Sequence, residues 1–369
     1  MPAPLRPVAH RPGGPSVREV ATEAGVSVAT VSRVLSGKGN VTEPTRRLVE
    51  EARHRLLQGG VRRPDASAGR AGTIFVRCPY ELTDYFGPIV SAVAETLHLH
   101  HYEMVLDAGG AAYHDDVLRR LPTRPDIAGA VLVLPPESHS EIEALRSSRM
   151  PFVVIDPRIA VPRDVLSVSA ANFSGALQVT RHLIALGHRR IGVISAAPAL
   201  AAGDARLAGH AAALAQVGEL VDESLVLRGE PVISTGEDLG GQLLDLAQAP
   251  SAIVCFNDKV AVGVLHAAER RGCQVPRDVS VVGFDDIDIS RAASPRLTTV
   301  RQPLQEMGRM AVTSLMRVIE GQRAEALHVE LATELVVRGS TGPAPSQAGV
   351  RAPLATKDKP VDIGRLAHA

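Results

Sequence analysis

Residues 17–37 read VREVATEAGVSVATVSRVLSG, and this stretch predicts two short helices joined by a tight turn. The first helix has Ser16 as an N-cap candidate and ends at Gly25, a residue type that favours the turn at a helix C-terminus. Ser27 can cap a second helix over residues 28–35. Two helices joined through so few residues match a helix-turn-helix motif.

The segment around this motif is basic, and the rest of the chain is acidic. The first 70 residues carry 12 Lys and Arg against 6 Asp and Glu, and the remaining 28 basic and 34 acidic residues give the opposite net charge. A basic head on an acidic body indicates contact with a polyanion, although chance clustering on a solvated surface gives the same charges. A third helical pattern starts at Thr42, so residues 16–58 predict an all-α head after a disordered arm, residues 1–15.

The rest of the chain predicts an α/β core behind a linker. Residues 59–72 are rich in Gly, Pro, Ser and Arg, which is typical of a linker. Short apolar runs that predict buried strands follow at residues 73–76, 103–106, 130–134, 152–155, 191–195, 252–256 and 280–284. Amphipathic runs that predict helices lie between most of them, for example 173–186, 206–217, 260–271 and 304–319. This alternation predicts parallel sheets, and the length of the region favours two subdomains over one.

The composition of the 369 residues excludes several classes of protein. We find no apolar run of membrane-spanning length, and the first 15 residues lack the apolar region of a secretory signal. Three widely spaced cysteines argue against both a disulfide framework and a metal finger. We therefore expect a soluble cytoplasmic protein without a cofactor or a bound metal. The tail, residues 341–369, has no apolar periodicity and is predicted to be disordered.

Six further motifs follow the helix-turn-helix stretch in order. They are NFSGA at 172–176, HLIALGHRRI at 182–191, FND at 256–258, VPRDVSVVGFDD at 275–286, LTTVRQP at 297–303 and ELVVR at 334–338. Together they resemble the lactose/galactose repressor (LacI/GalR) family over most of residues 16–340. The resemblance implies a transcriptional regulator, and favours a repressor, with a helix-turn-helix head and a core like periplasmic sugar-binding proteins.

The resemblance also implies how the core is divided. It is expected to contain two doubly wound subdomains, the first about 73–170 and 303–330, the second about 171–302 and 331–340. The chain then crosses between them three times, near Ala171, Gln302 and Leu331.

In the head, the resemblance implies that the second helix enters the major groove of DNA. Val28, Ala29 and Arg33 are expected to face base edges, where Arg33 can donate two hydrogen bonds to a guanine. The other DNA-binding candidates carry short hydroxyl donors suited to phosphates, namely Ser16, Ser27, Thr30 and Ser32. Because one head reads one half-site, the predicted partner is a palindromic double-stranded operator bound by a homodimer or a dimer of dimers. A helical mini-domain with an exposed arginine is the plainer alternative.

In the core, Asp285 follows a predicted strand, at the sheet edge where parallel α/β folds bind ligands. The resemblance implies that it accepts hydrogen bonds from the hydroxyl groups of a small effector, a sugar or sugar derivative. By the same resemblance the other effector-binding candidates are Asp84, Phe86, Asp156, Arg206, Asn257 and Gln302. Carboxylates, a guanidinium and amides suit hydroxyl groups, which both donate and accept hydrogen bonds. The neighbouring Asp286 and Asp288 are expected to be solvated or helix-capping rather than metal ligands.

The linker departs from the family pattern. The family usually has Asn after the proline and a Leu seven residues beyond it, in a short helix that wedges the minor groove. Here Asp65 follows Pro64 and Ala71 stands where the Leu would be, while Gly69 and Gly72 disfavour a helix. The sequence thus predicts an atypical hinge, 59–72, without a wedge.

Three other functions are compatible with parts of this pattern. A solute-binding protein shares the core but has a signal peptide and no head, the opposite of this sequence. A sugar-modifying enzyme needs a catalytic constellation, and none is visible. A regulator with a degenerate hinge that responds weakly or not at all to an effector remains the alternative to a fully coupled one.

Overall fold

A computed structural model describes residues 16–36, 41–58, 72–110, 117–197, 200–323 and 326–345. The chain divides into two compact units, Met1–Ala68 and Gly69–Ala369. The predicted N-terminal arm, the predicted hinge apart from Gly72, and the tail from residue 346 onward lie outside the described residues.

The first unit contains three helices, α1 (Val17–Ala24), α2 (Val28–Ser36) and α3 (Glu43–Gln58). One small apolar core joins them, made of Val20, Ala21, Val31, Val34, Val49 and Ala52. Gly25 adopts a φ of 64°, a left-handed conformation that glycine reaches without strain, and so turns the chain from α1 towards α2. The helix-turn-helix prediction is confirmed.

The second unit begins with a lobe built on a parallel sheet. Its strands are β1 (Thr73–Cys78), β2 (Glu103–Ala108), β3 (Ile127–Val133), β4 (Phe152–Ile155), β5 (Leu166–Ala170) and, from far along the chain, β11 (His328–Leu331). The spatial order is β11-β5-β4-β3-β1-β2. Helices α4 (Phe86–Leu99) and α12 (Leu304–Ile319) pack on one face, and α5 (Val117–Arg120) and α6 (His139–Ser147) pack on the other. We call this part the first lobe.

The second lobe is built on a four-stranded parallel sheet with the order β7-β6-β8-β9. Its strands are β6 (Ile191–Ala196), β7 (Val226–Gly229), β8 (Ala252–Cys255) and β9 (Ser280–Val282). The helices of this lobe are α7 (Asn172–Ala185), α8 (Ala201–Ala215), α9 (Ile233–Leu244), α10 (Asp258–Arg270) and α11 (Asp288–Ala292). A short antiparallel pair, β10 (Thr299–Arg301) and β12 (Glu334–Val336), lies against α7.

The chain passes between the two lobes at three places. It leaves the first sheet after β5 and enters α7, returns from β10 into α12, and passes from β11 to β12. The expected α/β core of two parallel sheets is confirmed. In the part of the chain that the structure describes, none of the helices is both long and apolar enough to cross a bilayer.

The second lobe also includes residues beyond the predicted end of the core at Ser340. The backbone N–H of Gly342 donates to Ser280 Oγ (3.1 Å), and that of Ala344 donates to the carbonyl of Leu186 (2.8 Å). The carbonyl of Gly342 accepts from Nε2 of the fully buried His188 (3.0 Å). Since a carbonyl only accepts, Nε2 carries the proton, and burial lowers the pKa of His188, which favours this neutral ring. Residues 341–344 are therefore part of the fold and not of a disordered tail.

Shortening the chain to end at Ser340 leaves the His188 Nε2–H and the Ser280 hydroxyl without these partners. We expect this to lower the free energy of unfolding by about 2–4 kcal/mol, since the three hydrogen bonds lost are worth about 0.5–1.5 kcal/mol each, while Ser280 Oγ stays 3.1 Å from His188 Nε2. Urea unfolding measures the loss. A chain that ends at Pro345 keeps the contacts and is the matched control. Equal stability of the two shortened chains would contradict the expectation.

Candidate functional sites

Helix α2 presents one polar and small-residue face to solvent. Val28 is 48% exposed, and Ala29, Ser32 and Arg33 are exposed with it, while Val31 and Val34 on the opposite side are buried. At 3.6 residues per turn, positions 28, 29, 32 and 33 share one face. The side chains on this face do not pack in the core, so they are accessible for contact with a partner, as those of a recognition helix must be.

The N-terminus of α2 is capped as the sequence predicts. Ser27 Oγ accepts a hydrogen bond from the backbone N–H of Thr30 (3.1 Å) and lies 2.8 Å from Thr30 Oγ1. Ser16 is exposed directly before α1, and its carbonyl accepts from the N–H of Val20 (3.1 Å). The hydroxyl groups of Ser16, Ser27 and Thr30 thus lie at or near helix starts, where backbone N–H groups also favour anions, whereas Ser32 lies in the middle of α2.

In the second unit, five of the predicted effector-binding residues are at most 9% exposed, namely Asp156, Arg206, Asn257, Asp285 and Gln302. Asp156 directly follows β4, and Asn257 and Asp285 lie two and three residues after β8 and β9, at the carboxyl edges of their parallel sheets. Gln302 directly follows β10 of the antiparallel pair. The fifth, Arg206, reaches the same region from α8.

Arg206 is the centre of this cluster. Its Nε donates to Asn172 Oδ1 (2.8 Å), its Nη1 donates to the carbonyl of Phe256, and its Nη2 lies 3.9 Å from Asp285 Oδ1. The guanidinium carbon lies 3.6 Å from the ring centre of Phe284 and 4.5 Å from that of Phe256. Burial lowers the pKa of Arg206, and the nearby carboxylates oppose that shift. The arginine is thus fixed by hydrogen bonds along its edge and by contacts with two aromatic rings.

Asp285 lies in a strained backbone conformation with a φ of 114°. Its N–H donates to the carbonyl of Val300 (2.8 Å), and its Oδ1 accepts from Gln302 Nε2 (2.6 Å). Burial raises the pKa of Asp285 to about 7, and the positive charge of Arg206 only partly offsets this. The remaining amide oxygen of Gln302, Oε1, is buried and has no hydrogen-bond partner in the described part of the protein.

The first lobe contributes a carboxylate and a tyrosine. Tyr85 donates its hydroxyl hydrogen to Asp156 Oδ2 (2.7 Å). Burial raises the pKa of Asp156, and burial followed by the charge of Asp156 raises that of Tyr85. A backbone hydrogen bond from the N–H of Ala201 in the second lobe to the carbonyl of Arg158 in the first (2.7 Å) joins the lobes beside this pair. The two carboxylates therefore approach one guanidinium from opposite lobes.

The other two predicted effector-binding residues occupy different surroundings. Asp84 is exposed, one residue before Tyr85. Phe86 stacks on Tyr80 with ring centres 4.6 Å apart and meets Tyr85 edge-on at 5.1 Å. The aromatic side chain of this loop that contacts the buried Asp156 is thus Tyr85, and Phe86 packs against Tyr85.

Four residues that contact this cluster are not among the predicted sites, namely Tyr85, Asn172, Phe256 and Phe284. Tyr85 lies between the predicted Asp84 and Phe86, and the other three lie in the quoted motifs, so all four have a signal in the sequence. Asn257, a predicted effector contact, also caps α10, because its Oδ1 accepts from the N–H of Val260 (2.9 Å).

The expectation that Asp286 is solvated or helix-capping is wrong. Its side chain is fully buried among arginines, whereas Asp288 is exposed at the start of α11. The two neighbours of Asp285 therefore have opposite surroundings.

The site suits a polar organic ligand and not a metal ion. Among the residues with a described structure, no group of three or more His, Cys, Asp or Glu side chains is arranged to hold a metal. Asp156 and Asp285 have a guanidinium near them, which repels a cation. The cluster contains the carboxylates of Asp156 and Asp285, the guanidinium of Arg206, and the amides of Asn257 and Gln302.

Comparison with known proteins places both units in one family. Residues 16–56 match the model of bacterial regulatory proteins of the lacI family, and residues 180–341 match that of the periplasmic binding protein-like domain. The chain is 32% identical to the HTH-type transcriptional repressor CytR of Escherichia coli over 333 residues, 88% of this chain and 96% of CytR. It is 33% identical to the HTH-type transcriptional regulator MalR of Streptomyces coelicolor over 343 residues, 90% and 98% of the two chains.

Solved structures agree with these sequence matches. The structure of a complex of the transcriptional regulator CelR with cellobiose superposes with a TM-score of 0.68 at 30% identity, covering 88% of this chain and 99% of CelR. A LacI family regulator from Enterococcus faecium with bound ribose superposes with a TM-score of 0.65 at 25% identity, covering 73% and 99%. The chain belongs to the lacI family of bacterial regulatory proteins, which are DNA-binding transcription regulators and not enzymes.

Proposed function

We propose that this regulator is a cytoplasmic repressor that binds a palindromic operator as a homodimer, or as a dimer of dimers. Its affinity for the operator is set by a small, neutral, sugar-like effector that binds at the cluster around Arg206. The observation that carries this proposal is the burial of Asp156, Arg206, Asp285 and Gln302 together, with an unpaired amide oxygen among them.

The hydrogen-bonding groups of the cluster favour hydroxyl groups as its ligands. A hydroxyl can donate to Gln302 Oε1 or to a carboxylate and can accept from Arg206, so one polyol satisfies all three kinds of group. An inorganic anion fits less well because Asp156 and Asp285 oppose a single guanidinium. Cellobiose in the CelR structure and ribose in the E. faecium regulator structure support a neutral sugar as the class of effector.

The position of the cluster suits control of DNA binding. Asp156 and Tyr85 belong to the first lobe, whereas Arg206, Asp285 and Asn257 belong to the second. A ligand that contacts both groups favours the closed arrangement of the lobes over an open one, and it shifts the population in proportion to that difference in affinity. Such a shift in the lobes is the means by which an effector would change operator affinity.

The DNA contacts that we propose lie on α2, at its N-cap and directly before α1. Val28, Ala29 and Arg33 read base edges, and the hydroxyl groups of Ser16, Ser27, Thr30 and Ser32 contact phosphates.

One copy of α2 covers a half-site, so two copies of the chain are needed for a palindrome. An apolar strip on the first lobe supports self-association: β2 is an edge strand, and Leu99, Val105 and Leu106 beside and within it are 76%, 38% and 37% exposed.

Arg33→Ala removes the side chain that can donate twice to a guanine. We expect the free energy of operator binding to weaken by about 1–3 kcal/mol and the preference at one base position in each half-site to relax. Selection of bound sequences from a random library, followed by titration with the selected operator, measures both effects. Arg53→Ala, an exposed arginine on α3, is the control. An Arg33→Ala variant with unchanged base preference would rule out base reading by Arg33.

Asp285→Ala and Arg206→Ala each remove partners of the proposed effector. We expect each to cost about 1.5–3 kcal/mol of effector binding, the range for hydrogen bonds to charged groups. A panel of neutral sugars is first tested for thermal stabilisation of the wild type, and the active sugar is then titrated by calorimetry. Asp245→Ala breaks an exposed ion pair with Arg271 in the same lobe and should leave affinity unchanged. Full affinity in both cluster variants would place the effector elsewhere.

Asp285→Asn tests the cost of keeping a carboxylate in the cluster. Because the pKa of Asp285 is raised to about 7 in the folded protein, the folded state holds a proton that the unfolded chain has released, and the wild type loses stability as pH rises from about 4 towards 7. We therefore expect Asp285→Asn to be more stable than the wild type at pH 8 by about 1–3 kcal/mol, with a smaller difference at lower pH. Urea unfolding at several pH values measures it. A variant that is less stable than the wild type at pH 8 would show that the carboxylate is not under such strain.

A further inference from the structure

The buried carboxylate next to Asp285 is involved in a different set of contacts. The side chain of Asp286 is 0% exposed, and each of its two carboxylate oxygens accepts two hydrogen bonds. Oδ1 accepts from Arg338 Nη2 and from Ser290 Oγ (3.1 Å). Oδ2 accepts from Arg301 Nε (2.8 Å) and from Arg291 Nη2 (3.2 Å). With four donors in place, Asp286 has no free acceptor for an effector, so its role is not contact with the ligand.

The donors to Asp286 come from three separate segments. Ser290 and Arg291 lie on α11, Arg301 ends β10, and Arg338 follows β12. Arg301 also donates to Glu334 on β12 (2.7 Å), and Arg338 donates to the carbonyl of Leu297 before β10 (3.0 Å). The carboxylate thus joins the loop after β9 to both strands of the antiparallel pair. We call Asp286, Arg291, Arg301 and Arg338 the arginine cluster.

The loop after β9 and the end of β10 each contribute one residue to the arginine cluster and the neighbouring residue to the proposed effector site. Asp285 accepts a hydrogen bond from Gln302 near Arg206. The next residue, Asp286, accepts one from Arg301, the residue before Gln302. The segments run side by side, since Asp285 N–H donates to Val300, and Asp285 and Arg301 form a parallel bridge. A displacement of Asp286 from Arg301 therefore moves Asp285 relative to Gln302.

The backbone at this point needs an external restraint. Asp285 and Asp286 both have positive φ angles, 114° and 57°, a conformation that L-residues avoid unless their surroundings impose it. Burial alone would raise the pKa of Asp286, but the hydrogen bonds from Arg338, Arg301 and Arg291 bring it below its usual value. The carboxylate is thus ionised and firmly bound, as a restraint on such a loop must be.

We propose that Asp286 is a positioning residue: the arginine cluster holds the strained loop 285–286 in place and thereby presents the Asp285 carboxylate to Arg206 and Gln302. This inference rests on the proposed function and deepens it, because it names the contacts that position Asp285, a proposed partner of the effector. Asp286 acts through Asp285 and touches no ligand itself.

The test is a double-mutant cycle between the two aspartates that needs no effector. The stability gain of Asp285→Asn at pH 8 is measured by urea unfolding of the full chain, once in the wild type and once in an Asp286→Asn background. We expect less than half of the gain in the second background, because an unrestrained Asp285 turns towards water and no longer suffers from burial. A gain of equal size in both backgrounds would overturn the proposal.

A second readout follows effector binding with the neutral sugar that stabilises the wild type. Asp286→Asn is expected to weaken its affinity at least tenfold and to change how the affinity depends on pH between 6 and 8, since the titration of Asp285 changes. Glu137→Gln is the control: it weakens an ion pair with the buried Arg77 in the first lobe, where the Glu137 side chain is only 6% exposed, and affinity and pH profile should both be kept. Affinity within twofold of the wild type in Asp286→Asn would overturn the proposal.

Two further results keep the test decisive. If no sugar binds the wild type, the proposed effector class is wrong, and the unfolding cycle alone decides the role of Asp286. If Asp286→Asn fails to fold, Arg301→Met replaces it, because that side chain is 44% exposed and removing its one hydrogen bond to Asp286 leaves three donors in place. The same loss of coupling to Asp285, smaller in size, is then expected, and its absence would overturn the proposal.

Discussion

The guanidinium of Arg206 between two desolvated carboxylates is the interaction on which the proposed effector site depends. Asp156 and Asp285 come from different lobes, and water reaches neither freely. One positive charge cannot balance two negative ones, so burial raises the pKa of both carboxyl groups despite the arginine. Electrostatic energies of this kind grow as the local dielectric constant falls, so an unbalanced charge costs more in this buried cluster than in water. The proposed polyol effector would supply hydrogen bonds to these groups without adding charge.

The parallel sheets explain why these groups meet at all. Asp156 follows β4 and Asp285 follows β9, so each is carried to the carboxyl edge of its own sheet. Both residues also have positive φ angles, 51° and 114°, which turn the chain sharply at the end of the strand. Such conformations cost about 1–3 kcal/mol each and are found where surrounding structure imposes them. The first lobe restrains Asp156 through Tyr85, and the second restrains Asp285 through Gln302 and the loop that follows.

Sequence patterns predict the main strands because the side chains of those strands are apolar on both faces. Phe152–Ile155 is predicted with its observed bounds, whereas β5, with Ser167 and Ser169 in it, lacks a continuous apolar run and gives no such signal. The predicted strand 280–284 ends at Val282 in the structure, since the N–H of Gly283 donates to Thr298 and the chain turns towards β10 there. Hydrogen bonds between segments that are distant in sequence decide such ends, and no local pattern encodes them.

The difference between local patterns and contacts of distant segments also explains which parts of the proposed site the sequence predicts. A family motif fixes residue type and position along the chain, and so it indicates Asp285, Arg206 and Gln302. It does not fix where a side chain points, which is why it indicates Phe86 and not the adjacent Tyr85. The burial of Asp286 depends on Arg301 and Arg338, which lie 15 and 52 residues away in sequence and meet it only after β10 and β12 have paired. Of the two adjacent aspartates, Asp285 thus lies in the proposed effector site and Asp286 is buried among arginines, and the contacts of Asp286 are what restrain Asp285 in our proposal.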